Sequence, residues 1–303
     1  MPETPALQGI FPPLTTPFDS SDQLSLAELR ANLEKYNRTR LAGYVATGST
    51  GEAILLSMAE TEEIWAAIAE SAAPDKILIA GTGAETTTET IARTRRAASL
   101  GFRFALVRTP HYFKAQMTPD VLAHFYLRVA DASPIPTLIY AVPQCTSVFV
   151  EAPLVAQLAE HPNIVGIKDS SGSVQRIAEI AGVVPPSFGV LTGGSSTLLP
   201  ALISGASGAV LGLANALPEA CVDLYEAAAG GRIAEARNLQ QKLLLASETI
   251  ASQPGIAGIK YAMDRLGYYG GPVREPLCGP SIGARSAIER VLSELGALSS
   301  ASS

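Results

Sequence analysis

Short apolar runs alternate with longer stretches of helical periodicity from one end of this chain to the other. Runs of a few aliphatic residues bounded by Gly, Pro or polar turns read as strands covered on both faces. Eight such runs occur, at Gly9–Thr15, Gly43–Thr47, Ile77–Gly81, Phe104–Val107, Thr137–Tyr140, Ile164–Lys168, Val190–Thr192 and Ala209–Leu211. The stretches between them carry helix start and stop signals. Ser25-Leu26-Ala27-Glu28 and Ser57-Met58-Ala59-Glu60 have the spacing of capping boxes, and Leu24 with Leu29 supplies a hydrophobic staple for the first. Thr118-Pro119 places a cap and then proline at the first helical position. Asp75-Lys76 and Leu100-Gly101 close two of the units.

Eight strand–helix units predict a (β/α)₈ TIM barrel over residues 1–216, close to the typical barrel length of about 250 residues. Leu217–Ala229, Ile233–Ser252 and Ser281–Leu298 read as helices, so 217–303 is expected to be a C-terminal helical extension packed on the barrel, with a disordered Ser/Ala tail at 297–303. The competing α/β arrangement, a doubly wound sheet, needs a Gly-x-Gly-x-x-Gly turn after the first strand. Gly9-Ile10-Phe11-Pro12-Pro13 has the wrong chemistry for it.

Composition narrows the partners. A net charge of −6 and the lack of any basic run argue against nucleic acid. No apolar stretch reaches the roughly 18 residues of a membrane span, and Met1-Pro2-Glu3-Thr4 does not open a signal peptide. Cys145, Cys221 and Cys278 are odd in number and far apart, which fits a reducing cytoplasm. His111, His124 and His161 lack metal-ligand spacing, so no histidine-rich metal centre is expected.

In a barrel, chemistry sits at the C-terminal ends of the strands and in the loops that follow. Of the six lysines, only Lys168 ends a buried strand at that face. A free lysine titrates near about 10.4, so roughly one in two thousand is neutral at pH 7. Desolvation disfavours the ammonium, and a neutral amine condenses with a ketone to a Schiff base. A lysine paired with Asp169, or one reaching out to solvent, stays open at this point. Tyr140 ends the preceding strand, where a phenol moves protons or merely fills the rim. Ser49-Thr50-Gly51 joins hydroxyls to backbone N–H groups, as a carboxylate cradle or a plain turn. Gly193-Gly194-Ser195-Ser196 is a second such segment, equally suited to phosphate.

Four segments in order, Gly48-Ser49-Thr50-Gly51-Glu52, Thr109-Pro110-His111-Tyr112, Tyr140-Ala141-Val142-Pro143 and Gly166-Ile167-Lys168-Asp169-Ser170, resemble motifs of the dihydrodipicolinate synthase/N-acetylneuraminate lyase family across nearly the whole chain. The resemblance implies a class I pyruvate aldolase on a (β/α)₈ barrel, needing no metal or other cofactor and commonly a homotetramer, a dimer of dimers. It implies that Lys168 forms the imine, Tyr140 shuttles protons and Ser49, Thr50 and Gly51 hold the 2-oxo acid's carboxylate. Gly193 joins the substrate contacts, and Tyr112 reaches into a neighbouring subunit's site.

Within that family, synthases carry an arginine two residues after Tyr-x-x-Pro, where this chain has Cys145, and a thiol cannot replace a bidentate guanidinium. Gly9–Phe18, His161–Gly166 and Gly267–Pro272 are similar to the 4-hydroxy-2-oxoglutarate aldolase branch, in which Ser170 is a further carboxylate contact. Cys145 and Thr50 depart from that branch, which has asparagine at both positions. Cys145 itself reads as a contact, a reactive thiol or a small filler. Arg108 and Lys114 flank the strand-four motif, as distal anion contacts or solvated rim residues. The leading expectation is cleavage of 4-hydroxy-2-oxoglutarate to pyruvate and glyoxylate. Behind it stand a synthase or sugar-acid aldolase/dehydratase of the same family, and an idle barrel that only binds a 2-oxo acid.

Overall fold

A parallel strand buried on both faces has no place for an unpartnered polar side chain, and each of the eight apolar runs forms such a strand. The computed structural model describes residues 6–297. Its strands are β1 (Gly9–Phe11), β2 (Gly43–Ala46), β3 (Ile77–Gly81), β4 (Phe104–Arg108), β5 (Thr137–Ala141), β6 (Ile164–Asp169), β7 (Gly189–Thr192) and β8 (Gly208–Val210). They are parallel, in the order β1-β8-β7-β6-β5-β4-β3-β2. Ala42 N–H donates to Ile10 C=O and Val45 N–H to Pro12 C=O, both at 3.0 Å, joining the two ends of that order. The result is a TIM barrel with helices between its strands.

The first strand was expected to run to Thr15 but ends at Phe11. Pro12 and Pro13 have no N–H to give the ladder, so pairing there survives only through their carbonyls and through Leu14 N–H to Val45 C=O at 2.9 Å. Inside the barrel Phe11, Val45, Leu106, Leu138, Leu191 and Val210 pack on one another. Outside, the strands' other faces meet the helices through Trp65, Ile68, Tyr126, Val129 and Leu158, all buried.

Of the two expected capping boxes, one forms. Ser57 Oγ accepts from Glu60 N–H at 3.2 Å while Glu60 Oε2 accepts from Ser57 N–H at 2.8 Å. Thr118 likewise caps the helix that opens with Pro119. Ser25 makes no side-chain cap. Its N–H donates to Pro17 C=O at 2.9 Å, and Leu24 bridges to Phe18. These ties turn Ser25 away from the extended backbone a cap needs.

Four α-helices follow the barrel, Pro218–Ala229, Ile233–Ala246, Gly255–Arg265 and Ile282–Glu294. The expected single helix 233–252 is α-helical only to Ala246 and continues as a π-helix, Ser247–Ser252. There Ser252 Oγ bonds back to Ser247 C=O and Gln253 N–H to Glu248 C=O, five residues earlier in each case. Gly255–Arg265 has Pro254 at its cap and no capping side chain, so no start signal announced it. The last helix ends at Glu294, short of the expected Leu298, and its chain turns at Leu295. Leu243, Ile250, Met263 and Val291 of this region share one core with Leu14, Tyr44 and Leu211 of the barrel. The tail expected to be disordered lies, from 298 onward, outside the described residues. Among those described, no helix is long and apolar enough to cross a membrane.

Ser57→Ala should lower unfolding stability by about 1 kcal/mol, whereas Ser25→Ala should stay within a few tenths. Urea denaturation of the two variants checks the contrast, and equal losses would contradict it.

Candidate active site

Strands β5 and β6 pair so that Tyr140 lies opposite Lys168 at the C-terminal end of the barrel. Alternation sends both side chains inward. Lys168 is 4% exposed and Tyr140 5%. Lys168 Nζ stands 4.2 Å from the centroid of the Tyr140 ring. The next residue, Asp169, takes the opposite face. Its Oδ1 accepts from Ser171 N–H at 2.9 Å and from the Ser171 hydroxyl, and its Oδ2 faces Arg176 Nε at 3.3 Å. Arg176 also holds Glu151 at 2.6 Å. The Lys168–Asp169 pairing left open by the sequence is therefore not made. Asp169 belongs to the layer between strand and helix.

The phenol of Tyr140 lies 3.1 Å from Ser49 Oγ. Ser49 sits in the turn after β2, where Thr47 and Glu52 both adopt positive φ, +49° and +57°. Thr47 is held there by Trp65 Nε1, which donates to its Oγ1 at 2.8 Å. The turn bonds itself through the amides of Gly51, Glu52 and Ala53, which leaves those of Ser49 and Thr50 outside its own bonding. Gly51 is buried, and its carbonyl accepts from Thr16 Oγ1 at 2.6 Å. A Cβ at Gly51 would stand 2.7 Å from Leu14 C=O, so the close passage of the turn over the segment that follows the first strand requires glycine.

A cavity of about 360 Å³ opens at this end of the barrel, bordered by Ser49, Tyr140, Arg108 and Cys145 among the expected residues. Its lining also includes the apolar side chains Ile54, Leu55, Ile256 and Leu277. Lys168, Thr50, Gly51, Ser170 and Gly193 are not among its lining residues; the amine stands against the ring of Tyr140, which is. Thr50 lies over Gly212, and Ser170 packs so closely on Gly193 that a Cβ there would fall 2.2 Å from Ser170 Oγ. Gly193 N–H donates to Asp169 C=O at 2.7 Å, placing both residues on the rim beside Lys168. Cys145 is exposed and borders the cavity. Lys114 starts a single 3₁₀ turn, outside the cavity wall. Tyr112, 78% exposed, points away and stacks edge-on with Phe113.

Arg108 borders the cavity but already has a partner. Its Nη1 contacts Glu85 Oε1 at 3.0 Å, and His111 Nδ1 meets the same oxygen at 2.7 Å. Glu85 Oε2 accepts the backbone N–H groups of His111 and Tyr112 at 2.9 and 3.0 Å. Burial pushes the Glu85 carboxyl up, but these donors outweigh it and hold the group below its usual range.

Three contributors escaped the sequence reading. Glu52, named in the sequence only as the end of a motif, is 1% exposed and pairs with Lys260 at 2.6 Å. Arg274 donates its N–H to Glu52 Oε2 at 2.8 Å and its guanidinium to Glu60 at 2.7 Å. Only the membership of Glu52 in the Gly48–Glu52 motif hinted at the first. The other two come from a region without strand or cap signals.

Comparison with known proteins gives a consistent picture. The model of the dihydrodipicolinate synthetase family matches residues 6–295. A 4-hydroxy-tetrahydrodipicolinate synthase from Exiguobacterium is 36% identical over 269 residues, 89% of this chain and 91% of that protein. A probable mitochondrial 4-hydroxy-2-oxoglutarate aldolase from Emericella nidulans is 31% identical over 299 residues, covering 97% and 96%. Among solved structures, a dihydrodipicolinate synthase from Acinetobacter baumannii complexed with pyruvate superposes with a TM-score of 0.91 at 30% identity, over 96% of this chain and 100% of that one.

The Glu60–Arg274 contact gives the site's surroundings a pH signature. The hydrogen bond from Arg274 is the main cause that holds Glu60 down at about 2. In the unfolded chain a glutamate titrates near about 4.3. A depressed folded value contributes stability that is complete above the unfolded pKa and is lost as pH falls through the folded one. The stability gap between wild type and Glu60→Gln, read by urea denaturation, should be full at neutral pH and close between about pH 4.3 and pH 2. A gap that does not change with pH would contradict it.

Proposed function

Because this chain belongs to the dihydrodipicolinate synthetase family, whose members are pyruvate-dependent lyases and synthases, we propose that it is a class I aldolase working through an imine on Lys168. The observation that carries this reading is the pairing of Tyr140 with Lys168, with the buried amine 4.2 Å from the phenol ring. Lys168 Nζ attacks C2 of a 4-hydroxy-2-oxo acid. The carbinolamine loses water and becomes a protonated imine, which draws electrons from the adjacent carbon. The proton of the 4-hydroxyl leaves, the C3–C4 bond breaks, and its electron pair moves through C3 to the imine nitrogen as an enamine. The aldehyde departs. Protonation at C3 and addition of water then release pyruvate and the free amine.

Tyr140 is the group within reach for these proton transfers, and its bond to Ser49 Oγ orients the phenol. The free amides of Ser49 and Thr50, with Gly51 beneath, receive the carboxylate next to the imine. Ser170 and Gly193 form the adjoining rim. No metal or other cofactor has a part, since the iminium is itself the electron sink. Tyr112, whose ring is exposed, is proposed to reach a neighbouring copy's site in a homotetramer, a dimer of dimers.

As substrate we propose 4-hydroxy-2-oxoglutarate, cleaved to pyruvate and glyoxylate, with Arg108 and His111 of the cavity lining as the cationic side for its second carboxylate. Support comes from the neutral Cys145 where synthases place an arginine, and from the Emericella relative's name. The synthase reading is favoured by the 36% identity to the Exiguobacterium protein.

Borohydride in the presence of pyruvate should fix a pyruvyl adduct, seen as a rise in intact mass, and Lys168→Ala should take up none. An adduct that persists in that variant would sink the imine assignment. In an assay that couples pyruvate to NADH oxidation by lactate dehydrogenase, 4-hydroxy-2-oxoglutarate should be cleaved, and Tyr140→Phe should slow it by about 10²–10⁴-fold. Consumption of pyruvate only with an added amino-aldehyde acid, and no cleavage of the hydroxyoxo acid, would decide for the synthase.

A further inference from the structure

Two buried charges lie beneath the Ser49 turn and take no part in the imine chemistry. Glu52 and Lys260 are each 1% exposed and meet at 2.6 Å. Lys260 comes from the helix Gly255–Arg265, and its Nζ also donates to Pro272 C=O at 2.7 Å and stands over the Phe18 ring at 4.7 Å. Burial drives the Lys260 amine's pKa down, with Glu52 pulling the other way. Glu52 Oε2 accepts Arg274 N–H, so both of its oxygens are engaged by the C-terminal region.

A buried ion pair is weak as a source of stability, because its desolvation cost rivals its attraction and an apolar pair often does as well. Its better use is to select one arrangement of the chain. Glu52 has φ +57°, in the left-handed region that residues with a Cβ avoid. That conformation closes the turn whose Ser49 hydroxyl meets Tyr140 and whose Ser49 and Thr50 amides are left unbonded. Among the described residues, the partners of the inward-turned carboxylate are Lys260 and Arg274 N–H. Glu52 Oε1 meets Lys260 Nζ as a 2.6 Å ion contact without hydrogen-bond geometry, and only this shape of the turn brings the two charges together.

We propose that Glu52 and Lys260 are a positioning pair through which the C-terminal helical region sets the Ser49–Thr50 turn to receive the carboxylate of the 2-oxo acid. This rests on the carboxylate role proposed for that turn. It makes the helices after the barrel part of substrate recognition, although neither residue needs to touch the substrate.

Methyl pyruvate offers the same ketone to Lys168 without the carboxylate, and so separates positioning from folding. The double variant Glu52→Gln/Lys260→Met removes both charges together, and Glu52→Leu/Lys260→Met replaces the pair by apolar side chains should the first not fold. Half-saturating concentrations for borohydride trapping are measured for pyruvate and for methyl pyruvate, alongside thermal melting. The value for pyruvate should rise about tenfold, the loss of a charge-assisted contact, while that for methyl pyruvate changes less than about twofold. Equal changes for both carbonyls, or none, would overturn the proposal. A wild-type chain that traps neither carbonyl overturns the imine reading itself, and the positioning pair with it.

Discussion

The pairing of β5 with β6 is the constraint on which the rest of this molecule depends. Parallel strands in register place Tyr140 beside Lys168, and their alternation sends both side chains into the barrel at its C-terminal end. On the next strand, β4, Phe104 and Leu106 fill the interior below, so the amine and phenol form the lid of a packed core. A shift by one residue would exchange Lys168 with Asp169, turning the carboxylate inward and the amine toward the helices. The Asp169–Ser171–Arg176 cluster holds the strand against that slip from outside.

Around this pair the barrel uses its loops unequally. The turn after β2 brings Ser49 to the phenol and is itself held in place by buried side chains, Trp65 on Thr47 and Lys260 on Glu52. The loop after β4 is organised by one carboxylate, Glu85, which gathers Arg108, His111 and two backbone amides. Near the amine the site is polar and closely bonded. The cavity lining also carries aliphatic side chains, and two of them, Ile256 and Leu277, belong to residues beyond the barrel. The C-terminal region thus supplies both a wall of the cavity and the tie beneath the turn.

The barrel was legible because its signals are local. Eight apolar runs, glycine and proline at the breaks and a working capping box at Ser57 need only a few neighbouring residues to be read. Lys168 was legible for the same reason, as the single lysine at the end of a buried run. Where the reading went astray, a distant contact had overruled a local preference. Ser25 has the right spacing for a cap, yet Pro17 and Phe18 bend its backbone away. Pro12 and Pro13 look like a continuing strand in an apolar count, yet they lack the donors a ladder needs. Cys145 gives no sign of its surroundings in the sequence, and only the fold puts it beside the cavity.

By itself, then, the order of residues determined the strand count, the parallel barrel and the placing of Tyr140 and Lys168 at strand ends, because periodicity and strand ends depend on neighbours a few residues apart. Which groups stand against which was left to the tertiary structure. Glu52 meets Lys260 across some two hundred positions, Arg108 is engaged by Glu85 from another loop, and Asp169 turns from its neighbour Lys168 to Arg176. Charges choose partners by distance in space and by the burial that makes an unpaired charge costly, and neither is written in their spacing along the chain.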